Sequence, residues 1–252
     1  MDYLTVADAK SLSGLRLSLT AGVPGPWGES AKALFKIRQV PYSPVLQKAA
    51  DGNEELVAWT GQRNAPTAML DDEPPRSTPV DMINLAERLG SGASLLPSSI
   101  CERVSALGIV NEIAGENGLG WTARYLMLAG AASHMTAEQI ASNPLMKDYR
   151  YDADAAAGAP VRIVEILKFL DQQLDGKGFL IGESLSVADV YWACFSQMLN
   201  PLPADVNPMP DYMRAAWGPL QEAVNEIYEV PEALFALRDR VFEQHIGLPL
   251  DY

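Results

Sequence analysis

The chain has 252 residues, 48% hydrophobic and 20% charged, enough to bury one large core or two smaller ones. Its formal net charge of -13, from 32 acidic against 19 basic side chains, repels phosphate backbones and anionic lipid surfaces, so nucleic acid is not an expected partner. No run of about eighteen apolar residues occurs, and the start MDYLTVADAKSLSG has neither the basic nor the apolar region of a secretory signal, so a cytoplasmic protein with no membrane partner is expected.

Residues 15 to 19, LRLSL, alternate apolar and polar and predict a strand with one buried face. The turn GVPGPWGES, residues 22 to 30, follows. Ala31, Leu34, Phe35 and Arg38 then recur at helical spacing, with Glu29 early and Lys36 and Arg38 late, as the helix dipole favours. A short strand near 42 to 46, a helix near 54 to 59 and the segment NAPTAML, residues 64 to 70, come next. The Ala65-Pro66 bond stands where a cis proline can hold a sharp turn before a strand.

A further short strand is expected before the next helix. That helix starts on Thr78 as N-cap, Pro79 at its first position and Asp81 three after the cap, with Val80, Ile83, Ala86 and Leu89 as its apolar stripe. Residues 1–90 thus read as an α/β domain, with 1–14 as an extension. SGASLLPSS, residues 91–99, reads as a linker, and 100–252 as an all-helical domain. Helices are predicted at 100 to 115, 119 to 132, 160 to 175, 186 to 199, 211 to 227 and 231 to 245; AADGNEE and YDADAAAGA read as loops. In GESLSVADV, Ser186 and Asp189 form a capping box and Leu185 and Val190 a hydrophobic staple, a signal of folding rather than chemistry. Cys101 and Cys194 lack CxxC spacing and read as buried, inert thiols, and neither His134 nor His245 has an acidic orienter nearby in sequence; no metal site is indicated.

FLIGESLSVADVYWACF resembles the capping-box segment of the glutathione transferase superfamily, and NAPTAML resembles the cis-proline strand of its thioredoxin-like domain. The resemblance runs from about residue 15 to the last helices. It implies a thioredoxin-like α/β domain followed by an all-α bundle, glutathione as cosubstrate, a small apolar electrophile at the domain cleft, and a homodimer.

Position by position, the resemblance has Ala65, before Pro66, pairing its backbone with the cysteinyl unit of glutathione. Arg76 and Ser77 stand where the family has an acidic residue or glutamine followed by serine. Ser77, at a helix N-terminus, suits the γ-glutamyl carboxylate; Arg76 departs from the pattern and cannot pair the γ-glutamyl amino group. The alternative is that Ser77 and Thr78 only cap the helix and Arg76 is a surface charge. Trp59, Gln62 and Asn64, just before the strand, are within sequence reach of the tripeptide.

The family's thiol-activating tyrosine, serine or cysteine lies in the first strand-to-helix turn. Here Trp27 falls near the cysteine position and Thr20 and Ala21 near the serine or tyrosine position, so no standard activating residue is present. Two readings of the turn stand side by side. In one, the backbone N–H of Gly28, the indole N–H of Trp27 and a hydroxyl of Ser30 or Thr20 cradle the thiolate, on loop geometry stiffened by Pro24 and Pro26. In the other, Trp27 plugs the domain interface and the protein is a non-catalytic glutathione-binding or structural relative. For the second substrate the family's geometry points to Glu112, Glu116, Trp121, Arg124 and Tyr125. Glu112 and Glu116 share a face of a continuous helix as an acid–base pair, as a solvated face, or as partners of Arg124.

Overall fold

The computed structural model describes residues 1–49 and 51–252. Three strands form the sheet in the order β2-β1-β3. The central strand β1 (Leu15–Thr20) pairs in parallel with β2 (Ser43–Gln47) and antiparallel with β3 (Thr67–Leu70). β1 is buried on both faces between Leu15 and Leu19, not on one, because helices cover the sheet on each side.

Among the described residues no further strand follows β3; the expected one reduces to a single bridge between Ala68 and Arg76. The Ala65-Pro66 bond is cis. The first fourteen residues are more than an extension. Leu4 bridges to Val45 at the sheet edge, and α1 (Val6–Lys10) packs Val6 and Ala9 into a small second core with Val45, Leu56 and Met69.

Helix α2 (Pro26–Ile37) starts inside the GVPGPWGES turn, with Pro26 in its first turn. α3 (Glu54–Thr60) takes up the end of the expected AADGNEE loop, of which Ala50 lies outside the described residues. α4 (Pro79–Leu89) begins with the Thr78/Asp81 capping box, but its buried face is Met82, Ile83, Leu85 and Ala86. Val80 and Leu89, expected in the apolar stripe, are 42% and 38% exposed.

The helical part comprises α5 (Ile100–Ala114), α6 (Leu119–Ala132), α7 (Ala137–Ser142), α8 (Pro144–Asp148), α9 (Ala153–Leu174), α10 (Val187–Ser196), α11 (Asp211–Asn225) and α12 (Glu232–Val241), the last running on into a π-helical turn. Most of YDADAAAGA, read as a loop, is the first two turns of α9: the Asp152 carboxylate accepts from Ala155 N–H at 2.7 Å and starts the helix early. α7 and α8 were not anticipated.

α10 is the hub. All ten of its residues are buried, and it packs against α2, α5 and α12. Its capping box forms: Asp189 accepts from Ser186 N–H (2.8 Å) and Oγ–H (2.7 Å), and also from Leu180 N–H (2.8 Å), fixing the preceding loop. One continuous core joins the sheet, α2 and α4 to the helical part. Cys194 is buried as expected; Cys101 is exposed.

Candidate functional site

The prolines and glycines of GVPGPWGES start α2 beside the cis-proline turn, and two cavities open there, of 590 and 550 Å3. They meet across a shared wall: Trp27 from α2, Asn64 and Ala65 before the cis bond, Arg124 from α6 and Tyr149 just after α8. Thr20, Gly28 and Glu29 line the first; Pro66, Ser77, Glu116 and Trp121 line the second. Ser30, Arg76, Glu112 and Tyr125 line neither, although all four were expected at the site.

Each side-chain donor expected in the turn is engaged elsewhere. The indole N–H of Trp27 donates to the Ala114 carbonyl at 2.9 Å, satisfying a carbonyl at the C-terminus of α5. Ser30 is fully buried and donates to the Pro26 carbonyl at 2.7 Å. Thr20 donates to Gln47 Oε1 at 2.5 Å. The Gln47 amide nitrogen bonds the carbonyls of Lys48 and Arg63, so its oxygen must be the atom facing Thr20, and the single hydroxyl proton of Thr20 is committed.

Backbone donors remain. Pro26 has no N–H and Glu29 N–H donates to the Gly25 carbonyl, which leaves the amides of Trp27 and Gly28 without an intrahelical partner. Across the cavity, β3 pairing begins only at Thr67, so the N–H and C=O of Ala65 have no backbone partner among the described residues. The Ser77 hydroxyl likewise has no bonding partner among the described residues; Thr78 is the N-cap of α4, accepting from Asp81 N–H at 3.1 Å.

Arg76 pairs with Glu73 at 2.5 Å, and Glu73 also binds Arg88 at 2.8 Å, which holds the Glu73 carboxyl below the usual carboxylate range. Trp59 belongs to the second core, with the Arg16 guanidinium 5.4 Å from its ring. α5 ends at Ala114, so Glu112 and Glu116 do not share a helix face: Glu112 pairs with Arg162, and exposed Glu116 lies 3.8 Å from Arg150.

Arg124 pairs with neither. Its guanidinium stands 3.9 Å from the Tyr149 ring centroid, 4.4 Å from that of Trp27 and 4.9 Å from that of Trp121. Trp27 in turn meets Phe195 edge-on at 4.8 Å.

Sequence reasoning missed five charged groups lining the first cavity, Glu29, Lys32, Asp51, Arg63 and Asp148, and the Tyr149 ring beside them. Arg63 and Asp148 form an ion pair from the cis-proline side to α8. Glu29, 7% exposed, bonds Lys32 at 2.8 Å through Oε1 while Oε2 has no partner; burial pushes its carboxyl up to about 7 against the lowering influence of Lys32. The signal for α7, and so for α8 and Tyr149, was present as Thr136 followed by Gln139, a capping box that forms, and Asn143-Pro144.

Residues 134–235 match the family model of the glutathione S-transferase C-terminal domain. A glutathione S-transferase domain-containing protein from Marinobacter aquaeolei VT8 is 16% identical, with 91% of this chain and 98% of that one covered at a TM-score of 0.61. A glutathione S-transferase from Xanthobacter autotrophicus Py2 is 15% identical (94% and 98% covered, TM-score 0.55), and one from Methylobacillus flagellatus KT with GSH bound is 14% identical (89% and 98%, TM-score 0.54). At these identities the likeness is one of fold, and no curated protein sequence matches the chain. The matched C-terminal helices and a two-part architecture shared along nearly the whole chain give the protein the fold of the glutathione S-transferases.

Proposed function

We propose that the protein is a glutathione-dependent transferase whose thiolate is stabilised by backbone amides rather than by a side-chain hydroxyl or thiol. Ala65 pairs with the cysteinyl unit of glutathione, and Ser77 with the N-terminus of α4 takes the γ-glutamyl carboxylate. The thiol lies against the N-terminus of α2, where the amides of Trp27 and Gly28 and the positive end of the helix dipole lower its pKa from about 8.5. The thiolate attacks an electrophile held against α6. The proposal includes a homodimer, as in the family.

The observation that carries this reading is that, among the described residues, the backbone of Ala65, the hydroxyl of Ser77 and the first amides of α2 lack partners and line the same pair of cavities. A second reading, a glutathione binder without chemistry, draws on the engagement of Thr20, Trp27 and Ser30 in other bonds. Calorimetry with reduced glutathione and pH titration of thiolate absorbance in the complex separate the two. The transferase reading expects micromolar to low-millimolar binding weakened by Ser77→Ala. It also expects a bound thiol pKa at least ~1 unit below the free value, returning towards it in Gly28→Pro, which removes one amide in a first turn that tolerates proline. Binding with an unshifted pKa means a silent binder; no binding by folded protein sinks both.

A further inference from the structure

Arg124 stands out among the cations lining the two cavities. Lys32 is paired with Glu29 and Arg63 with Asp148, whereas no carboxylate lies within 4.0 Å of Arg124 and none of its N–H groups has an acceptor among the described residues. It is half-buried and sits deep enough that burial works against its charge, although a guanidinium stays protonated at any physiological pH. Partial loss of hydration in such a place is costly even though its nitrogens are not fully buried. Three aromatic rings offset part of the cost by covering the guanidinium, but they do nothing for its N–H edge.

Acidic side chains close in sequence to α6 and Tyr149 have other partners. Asp148, one residue before Tyr149, pairs with Arg63; Glu112 pairs with Arg162; Glu116 faces Arg150. Arg124 is the only cation in the second cavity, among the described residues. The fork that remains matches a planar carboxylate taken in two parallel hydrogen bonds, and the rings around it would stack on a flat ligand.

We propose that Arg124 is the receptor for a carboxylate carried by the second reactant, so that the electrophile is a planar, aromatic acid rather than a neutral apolar molecule. This rests on the glutathione reading for the identity of the first reactant. The tripeptide's own carboxylates are the competing source of the same chemistry. Arg124 belongs to α6, on the helical side of the cleft, whereas Ala65 and Ser77 belong to the α/β side.

Trp27 and Trp121 flank the guanidinium and supply the readout. Benzoate is titrated into the full-length protein with and without saturating glutathione, following tryptophan fluorescence, with benzamide as the neutral match. The expected result is a saturable change with benzoate in both conditions, on the order of tenfold weaker with benzamide and weakened by at least that factor in Arg124→Met. Arg124→Lys, which keeps the charge but loses the fork, falls between. Equal affinity for benzoate and benzamide, no saturable change, or unchanged binding in both variants overturns the proposal; so does abolition of benzoate binding by glutathione, which would give Arg124 to the tripeptide. If Arg124→Met does not fold, Arg124→Lys and the benzoate–benzamide contrast still decide. Benzoate binding without calorimetric glutathione binding would keep the receptor and remove the transferase reading.

Discussion

Glu29 shows how far one residue's chemistry can depart from its sequence role. In the first turn of α2 the helix dipole favours its negative charge, and Lys32 three residues on is a natural partner. Burial nevertheless dominates, beside the phenols of Tyr3 and Tyr42, the Asp251 carboxylate and the Cys194 thiol, and the carboxyl is pushed up to about 7. Below the ordinary value of 4.5 the group is neutral folded or unfolded. Between 4.5 and about 7 only the unfolded chain ionises, so stability from this group is full at the acid end and is lost as pH rises through the folded value. The interval corresponds to roughly 3 kcal/mol at 1.36 kcal/mol per pH unit. Urea unfolding of the parent and of Glu29→Gln across this range should show the variant gaining on the parent by that order as pH rises. Parallel curves would mean that Glu29 titrates normally.

At the scale of elements, the seam between α2, α6 and α10 depends on one position without a side chain. A β-carbon on Gly120 of α6 would stand 2.7 Å from Cη2 of Trp27 and would press into Phe195. Gly120→Ala should therefore destabilise by about 1–3 kcal/mol, although alanine is the better helix former by about 1 kcal/mol, and should shift the tryptophan emission as Trp27 moves. Gly130→Ala on the same helix, where a β-carbon meets nothing within 4 Å, is the control and should stabilise by up to ~1 kcal/mol. Equal effects of the two substitutions in urea unfolding would show that the seam relaxes at no cost. Elements of this kind were legible to different degrees. α4 and α10 announce themselves through Thr78/Asp81 and Ser186/Asp189, and α7 through Thr136/Gln139, since a cap involves partners three residues apart. The buried face of α4 was misread because Val80 and Leu89 fit the helical period but meet no neighbouring element to cover them.

At the scale of the whole molecule, the proposed homodimer has a candidate face on α5, where Ile100 and Val104, one turn apart, are 75% and 66% exposed. Sedimentation equilibrium should give a dimer for the parent and a monomer for Ile100→Glu/Val104→Glu; a monomeric parent would remove the dimer from the proposal. The run β1-α2-β2-α3-β3, the cis-proline position and the caps of α4 and α10 were determined by the sequence alone, because each depends on residues a few positions apart and on backbone preferences that travel with them. The chemistry of the site was decided only by tertiary structure. Trp27 loses its indole N–H to Ala114, 87 residues away, Thr20 its hydroxyl proton to Gln47, 27 residues away, and Arg124 meets Tyr149 and Trp27 rather than a glutamate on its own segment. Whether a donor is free depends on which acceptor the fold brings within about 3 Å, and spacing along the chain does not encode that distance.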